Sequence, residues 1–410
     1  MSKTFDVRVR ETIFTEREQV ATNPRWVRAL AAAHLQDVTY CLCTPAAAPH
    51  IGVKLYGRDK PTMHYGLALW RDTGLDHDAD CRFFSEDTDA GDGEGSRPAF
   101  DDLGNGQYRA HLATALAIIE RRTQEIAAKK ARGDASPAPS RSRANESALL
   151  FKLWRTAGLN IYRGSRSWFS ASFSLIHAAK NILVNKDGDS LADFMLLGSG
   201  INDRLAKLHN AQVLERAKAR PTRLFVIGRM KQYKREKQKI LLPMMDFALL
   251  PKILVRIEQL DKFLDGRRFF QNLLAERAGY LVSIACIEPS GPDWWQTVSI
   301  AGIGTDLNMI PVESSFEIEF SEYLATQGRK YLKPIAIDES GTDDMRPDFI
   351  LLDTPSRVYC EVWGMQTEQY LQDKSRRIAN YAARRRILVS WNAFPREALP
   401  ALPPRTGTAE

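Results

Sequence analysis

The stretch RPDFILLDTPSRVYCEVWG, residues 346–364, contains two short apolar segments, each with an acidic residue near one end. Asp348 precedes the first segment, and Glu361 lies near the end of the second. Short apolar runs that are bounded by turn residues predict buried β-strands. On neighbouring strands the two carboxylates can approach each other, and such oxygens are the ligands that Mg2+ prefers. The stretch therefore predicts a magnesium site carried by a β-sheet, although acids at strand ends can also simply face solvent.

The flanking segments extend this pattern into a larger unit. In chain order they predict a helix, a strand, a second helix and a last strand: ESSFEIEFSEYLATQG, KYLKPIAID, TEQYLQDKSRRIANYAARR and ILVSW. Residues 313–395 therefore have the predicted element order α-β-β-β-α-β. Glu317, on the first of these helices, adds a more distant third carboxylate.

One reaction that a magnesium site of this kind can support is phosphodiester cleavage. This reaction needs positive charge near the scissile phosphate in addition to the metal ligands. Side chains alternate along a strand, so position 363 shares a face with Glu361, but Trp363 occupies it and a neutral indole cannot supply that charge. On the following helix one stripe carries basic and aromatic residues, namely Tyr370, Lys374, Arg377, Tyr381 and Arg384. Lys374 lies one turn into this helix, from where its ammonium can extend back over the carboxylates. The other four predict contacts with nucleic acid, with a solvated basic face as the alternative.

The order of these elements and acids resembles the PD-(D/E)xK nuclease superfamily, including members whose lysine has moved to the helix. The resemblance covers the last hundred residues or so. It implies that Asp348, Glu361 and Glu317 are metal ligands and that Lys374 is the catalytic base or water-positioning group. The implied activity is Mg2+-dependent hydrolysis of DNA. The departure at Trp363 keeps a second interpretation open, a non-catalytic DNA-binding or adaptor protein with a degenerate nuclease fold.

A second group of possible metal ligands lies in the N-terminal part of the chain. Cys41 and Cys43 share one side of a predicted strand, and His77 and Cys81 share one face of a helical turn. Three sulfurs and one imidazole are a typical donor set of a structural zinc site. The alternative is that the cysteines are ordinary buried residues and His77 lies at the surface.

Composition and segment patterns place these sites in a multidomain α/β protein. The segments VTYCLC, HIGVKLYG, RLFVIGRM, YLVSIACIE and TVSIAGIG predict strands, and QYRAHLATALAIIERRTQEIAAKK, residues 107–130, predicts a helix. We predict a small zinc-binding α+β module over 1–131, a linker over 132–147, a mixed α/β region over 148–312 with a helix-turn-helix-like start, the nuclease-like domain over 313–395 and a loose Pro-rich tail over 396–410. The net charge of +7 suits a polyanionic partner such as DNA. The charged N-terminus and the absence of a long apolar run predict a cytoplasmic protein without membrane contact.

Several segments together resemble an uncharacterised bacterial family, the domain of unknown function 1173, whose members are typical of plasmids and integrative elements. They are CLC, YGLALWRDTGLDHDADCRFF, LFKLWRTAGLN and LFVIG. The resemblance spans most of the chain. It implies a cargo or maintenance protein of mobile DNA, whose partners are DNA and other proteins of the same element.

Overall fold

The computed structural model describes residues 3–34, 36, 38–44, 48–56, 64–70, 73–78, 81–84, 99–104, 106–118, 143–185, 187–235, 237–335 and 346–406. The α-helices in this part of the chain are α1 Pro24–Ala33, α2 Glu146–Thr156, α3 Trp168–Ala179, α4 Arg204–Ala219, α5 Ile257–Leu264, α6 Arg268–Glu276, α7 Ser315–Thr326 and α8 Glu368–Ala383. The first strands are β1 Val7–Val9, β2 Thr12–Phe14, β3 Thr39–Cys41, β4 Ile51–Tyr56, β5 His64–Leu69, β6 Phe100–Gly104, β7 Gln107–Ala110, β8 Ile161–Tyr162 and β9 Ile182–Leu183. The remaining strands are β10 Met195–Leu197, β11 Leu224–Arg229, β12 Lys239–Leu241, β13 Lys252–Arg256, β14 Tyr280–Gly291, β15 Trp294–Thr305, β16 Tyr331–Leu332, β17 Phe349–Leu351, β18 Val358–Trp363 and β19 Ile387–Asn392.

The N-terminal module is built from small antiparallel sheets. Strands β2, β1 and β3 pair in that order, and β4 and β5 form a hairpin. Helix α1 begins at the N-cap Asn23, whose side chain accepts the backbone N–H of Arg25, and it buries Trp26 and Leu30. The core around Trp26 also contains Cys41, Cys43 and Cys81. The strands predicted in VTYCLC and HIGVKLYG are confirmed as β3 and β4.

The middle region contains a six-stranded mixed sheet with the order β10-β11-β14-β15-β13-β12. Its centre is the long antiparallel pair β14 and β15, whose register runs from Tyr280 opposite Thr305 to Gly291 opposite Trp294. Strands β11, β14 and β15 confirm the strands predicted in RLFVIGRM, YLVSIACIE and TVSIAGIG. Their near-continuous apolar runs reflect helices and further segments that cover the sheet.

The C-terminal region contains a five-stranded sheet with the order β19-β18-β17-β16-β8. Strands β16, β17 and β18 are antiparallel neighbours, whereas β18 and β19 are parallel. Parallel neighbours need a crossover, and α8 provides it between β18 and β19. Helices and strands thus follow the predicted order α-β-β-β-α-β from α7 to β19. The edge strand β8 comes from the middle region, so this sheet draws on residues from both sides of the predicted boundary at 312.

Local signals fix the two helices that flank the C-terminal acids. Ser314 caps α7 by accepting the backbone N–H of Glu317 at 3.1 Å. Gly328 follows the end of α7 with φ of +64°, a left-handed conformation that favours glycine. Thr367 caps α8 by accepting the backbone N–H of Tyr370. These caps place Glu317 in the first turn of α7, where the helix dipole favours a carboxylate.

Three sequence expectations need correction. The helix predicted over 107–130 begins instead with strand β7, because Gln107–Ala110 pairs with β6 and β9; residues 111–118 form no helix, and residues 119–130 lie outside the described part. Helix α2 begins at Glu146, inside the predicted linker, of which residues 132–142 are not described. The connection from α2 to α3 contains β8, so it is not the short turn of a helix-turn-helix motif.

The tail was expected to be loose, but its described residues, up to Thr406, lie against the C-terminal region. Leu399 and Leu402 pack on the main core. Tyr323 donates to the carbonyl of Pro400 at 2.7 Å, and Arg329 donates to the carbonyl of Pro403 at 2.8 Å. Proline-rich backbone has free carbonyl groups, and side chains of the neighbouring helix and loop satisfy them here.

Among the described residues no helix combines the length and the apolar character that crossing a bilayer requires.

Candidate metal centre and carboxylate cluster

The N-terminal module brings its four predicted metal ligands together. Cys41, Cys43, His77 and Cys81 are all buried, and their ligand atoms lie within 4.8 Å of one another. The Sγ atoms of Cys41 and Cys81 are 3.7 Å apart. Nδ1 of His77 lies 3.4 Å from Sγ of Cys43 and 3.6 Å from Sγ of Cys81. Strand β3 and the loop after it carry the first pair, and the segment after a short 3-10 helix, Gly74–Asp76, carries the second.

These separations fit a tetrahedral metal ion. A Zn–S bond of about 2.3 Å implies sulfur atoms about 3.8 Å apart at the corners of a tetrahedron. Backbone N–H groups point at two of the sulfurs, from Asp78 to Cys43 at 3.3 Å and from Phe83 to Cys81 at 3.4 Å. Such bonds stabilise thiolates, which are the form that binds metal. The cluster can therefore bind a metal such as zinc.

The pKa values of the three thiols also favour binding of a cation. Hydrogen bonding to Cys43 raises the pKa of Cys41 to about 11, and hydrogen bonding to Cys41 and Cys43 raises the pKa of Cys81 further. Hydrogen bonds from these two neighbours lower the pKa of Cys43. Three thiols this close cannot all ionise unless a positive charge lies between them. Simple burial, the alternative from the sequence, would not require an imidazole nitrogen to face the sulfurs.

The C-terminal acids form a separate cluster around a buried lysine. Nζ of Lys333 lies 2.7 Å from Oε2 of Glu317 and 3.6 Å from Oδ1 of Asp348. Burial alone would lower the pKa of Lys333, but the carboxylates of Glu317, Glu313 and Asp348 outweigh it and raise that pKa. Lys333 therefore stays charged and links the helix acid to the acid that precedes β17.

Asp348 directly precedes β17, and Glu361 lies on the neighbouring strand β18. Oδ2 of Asp348 accepts the backbone N–H of Val362 at 2.7 Å, which holds this carboxylate beside β18. Oε1 of Glu361 accepts the hydroxyl of Tyr381 at 2.7 Å and a guanidinium N–H of Arg377 at 2.5 Å. Burial, with the charge of Asp348 as a second cause, raises the pKa of Glu361 to about 8. Among the described residues the Cys/His cluster is the one group of three or more metal-ligating side chains that converges closely, whereas these acids are held by cations.

The structure does not bring Lys374 to the carboxylates. Its Nζ donates to Oδ1 of Asn392 and lies 5.4 Å from the ring centre of Trp363. The Trp363 side chain is 3% exposed and fills the place beside Glu361, and the guanidinium of Arg377 also lies over its ring. The ammonium of Lys374 and the guanidinium of Arg377 thus both make cation–π contacts with the indole.

The other residues of the α8 stripe divide into two groups. Tyr370, Arg377 and Tyr381 face the sheet, because Tyr370 accepts the backbone N–H of Gly364 and the other two bind Glu361. Arg384, at the end of the helix, is exposed and lines a cleft together with Tyr359 and other residues. Of the four residues predicted to contact nucleic acid, Arg384 is the one in an open position.

Lys333 was missed by the sequence analysis, which interpreted KYLKPIAID only as a strand. The signal was a charged residue within an apolar run, since Lys333 stands between Leu332 and Ile335 in a segment predicted to be buried. Buried lysines are almost always paired. That rule indicates acidic partners but does not identify them.

Comparison with known families places the whole chain. The profile of the family described as "Protein of unknown function (DUF1173)" matches residues 13–391. The chain belongs to this family. The match extends from the N-terminal module to β19, so it spans the segments of this chain that carry both clusters. No curated protein and no solved structure matches the chain.

Proposed function

We propose that this DUF1173 protein is a metal-dependent DNA endonuclease of a mobile genetic element, with a structural zinc ion in its N-terminal module. Asp348 and Glu361 would hold Mg2+ at the C-terminal site. Lys333, rather than Lys374, would be the lysine of the site. The observation that carries this proposal is the buried Lys333, which is paired with two acids from different elements, Glu317 on α7 and Asp348 before β17.

The surroundings of the acids support metal binding. The Asp348 side chain is 22% exposed, so its carboxylate is accessible from solvent. The pKa of Glu361 is raised partly because its carboxyl lies near the charge of Asp348, and a cation between the two would remove that repulsion. Bound Mg2+ would supply charge stabilisation to a reacting phosphate.

The chain's own residues would orient the two carboxylates and place positive charge near such a phosphate. Tyr381 and Arg377 fix the Glu361 carboxylate through one oxygen and leave its second oxygen to a ligand. Lys333 holds Asp348 toward the same place and contributes positive charge from beneath. Arg377 and Lys374, stacked on Trp363, add positive charge at the rim.

A second candidate function is DNA binding without cleavage. The specific observation in its favour is that Glu361 already has a buried hydrogen bond and an ion pair, so its charge is balanced without a metal ion. Lys333 likewise balances the charge of Glu317 through an ion pair. Under this interpretation the cluster is a structural remnant, and the protein acts through its basic surfaces.

Substitution of Asp348 by Asn separates the two functions. For the nuclease we expect a loss of Mg2+-dependent cleavage of plasmid DNA of at least about 100-fold, because the variant loses a metal ligand but keeps the hydrogen-bond acceptor for Val362. Cleavage of supercoiled plasmid is measured by gel electrophoresis with Mg2+, Mn2+ or Ca2+.

The matched control is Asp373→Asn, which makes the same charge change at an exposed acid on α8 and is expected to leave cleavage unchanged. Equal cleavage by the wild type and by Asp348→Asn contradicts the proposed site. Absence of cleavage by the wild type with every ion, together with DNA binding, supports the second candidate.

A further inference from the structure

A cleft of about 580 Å³ lies where the segment 76–78, called here the metal-ligand segment because it contains His77, meets the C-terminal sheet. One wall is Asp76, which directly precedes the metal ligand His77. The opposite wall comes from the start of β18 and from the end of α8 with the residues after it. The side chains used here are Arg357, Tyr359, Arg384, Arg385 and Arg386.

The charge of this cleft is strongly positive. Four guanidinium groups face one carboxylate, and in the described part of the chain none of the four makes a salt bridge. Nη2 of Arg357 donates to the backbone carbonyl of His77 at 2.6 Å, while its Nη1 is buried without a hydrogen-bond partner. An unsatisfied buried guanidinium nitrogen is costly, and an anionic ligand would satisfy it.

The backbone at Arg385 has a conformation that glycine would adopt with less strain. Its φ is +51°, in the left-handed region just after α8, where glycine is the favoured residue. A non-glycine residue there is strained. Glycine would relieve this strain but would remove one guanidinium from the cleft.

The cleft lies along the same strand as the Glu361 site. Tyr359 and Glu361 are two residues apart on β18 and share a face. Tyr381 bridges them, with its ring 5.6 Å from that of Tyr359 and its hydroxyl bonded to Glu361. At about 3.3 Å per residue, Arg357 lies roughly 13 Å along the strand from Glu361, which equals about four base-pair rises along the axis of a DNA duplex.

We propose that this cleft binds the phosphodiester backbone of a DNA strand and that the metal-ligand segment forms one of its walls. Metal loading then positions Arg357 through the His77 carbonyl, which couples the N-terminal metal centre to DNA binding. The continuation of the bound strand toward Glu361 rests on the proposed function, whereas backbone binding does not. The chemistry that fits is a row of phosphates contacted by arginines, which gives salt-dependent binding with little sequence preference.

The test is fluorescence polarisation with a short labelled DNA duplex and with its single strand, without Mg2+ so that no cleavage occurs. The variant Arg384→Ala/Arg386→Ala should weaken binding about tenfold or more, because each charged hydrogen bond that it removes is worth about tenfold. The slope of log affinity against log salt should become shallower by about 0.7–0.9 for each phosphate that the variant no longer neutralises. The two DNA forms distinguish a duplex backbone from a single strand as the source of the phosphates.

Three further variants distinguish a loss of DNA contacts from a loss of folded protein. Arg385→Gly should weaken binding while the melting temperature stays equal or rises, because the strained backbone is relieved. Asp76→Asn should tighten binding, because Asp76 is the one acid among the described residues that line the cleft. Arg376→Ala removes one guanidinium from α8 outside the cleft and should leave the affinity unchanged.

The proposal is overturned if the double variant loses no more affinity than Arg376→Ala, or if Asp76→Asn does not tighten binding. It is also overturned if inorganic phosphate displaces the DNA at equal phosphate concentration. DNA binding in this cleft without any cleavage overturns the proposed nuclease function alone. Unchanged DNA affinity of the arginine variants, with Mg2+-dependent cleavage intact, overturns the cleft alone.

Discussion

Lys333→Met is expected to lower the free energy of unfolding by about 3–5 kcal/mol, because it leaves the buried carboxylate of Glu317 without its cation. The Lys333 side chain is 4% exposed, and its Nζ lies 2.7 Å from Glu317. Water cannot replace the missing charge at such a site. Chemical denaturation followed by tryptophan fluorescence measures the loss of stability.

The double variant Lys333→Met/Glu317→Leu is expected to recover most of this stability, since replacing a buried ion pair by apolar side chains is often nearly neutral. Lys374→Met is the matched single control. Because Lys374 contacts Asn392 and the ring of Trp363 rather than the acids, its replacement should cost less than about 1 kcal/mol. Similar losses of stability for Lys333→Met and Lys374→Met, or a double variant that is less stable than Lys333→Met, would show that the buried pair does not organise this cluster.

Purified protein is expected to contain one zinc ion per chain, and Cys41→Ser is expected to remove it. The thiolate is a metal ligand and the hydroxyl is a poor substitute. Structural zinc in small domains contributes an apparent binding free energy of about 10–16 kcal/mol, so its removal should unfold the N-terminal module. Elemental analysis gives the metal content, and thermal unfolding reports whether the module is still folded.

Cys286→Ser provides the control for this prediction. Cys286 is buried in β14, outside the cluster, where burial raises the pKa of its thiol. This variant should keep its zinc, whatever its stability. A zinc content near zero in the wild type, unchanged in Cys41→Ser, would contradict the assignment and leave the four side chains as a buried group without metal.

The local chemistry of the chain was sufficient to predict much of the secondary structure. Apolar runs such as YLVSIACIE predicted strands, and the period of ESSFEIEFSEYLATQG predicted α7, because these patterns depend on neighbouring residues alone. The short spacing within each of the pairs Cys41/Cys43 and His77/Cys81 likewise indicated metal ligands, but only the fold brings the ligand atoms of both pairs within 4.8 Å of one another.

The helix predicted over 107–130 shows where local pattern fails. Its first four residues, Gln107–Ala110, form β7 because β6 and the distant β9 supply hydrogen-bond partners on either side. Helix propensity differs among most residues by less than about 1 kcal/mol, so such tertiary pairing overrides it. The proline-rich tail, whose carbonyls find donors on Tyr323 and Arg329, is a second case.

The sequence by itself determined that Asp348 precedes one short strand and that Glu361 lies on the next, where two neighbouring carboxylates favour a cation between them. Only the tertiary structure decided which lysine lies beside these acids. Lys374 was favoured because it is near in sequence, but β16 pairs with β17 and places Lys333 beneath the acids, while Trp363 and Asn392 hold Lys374 away. A periodic pattern gives the face of an element but not the partner across it, because that partner depends on strand order and on chain segments far away in sequence.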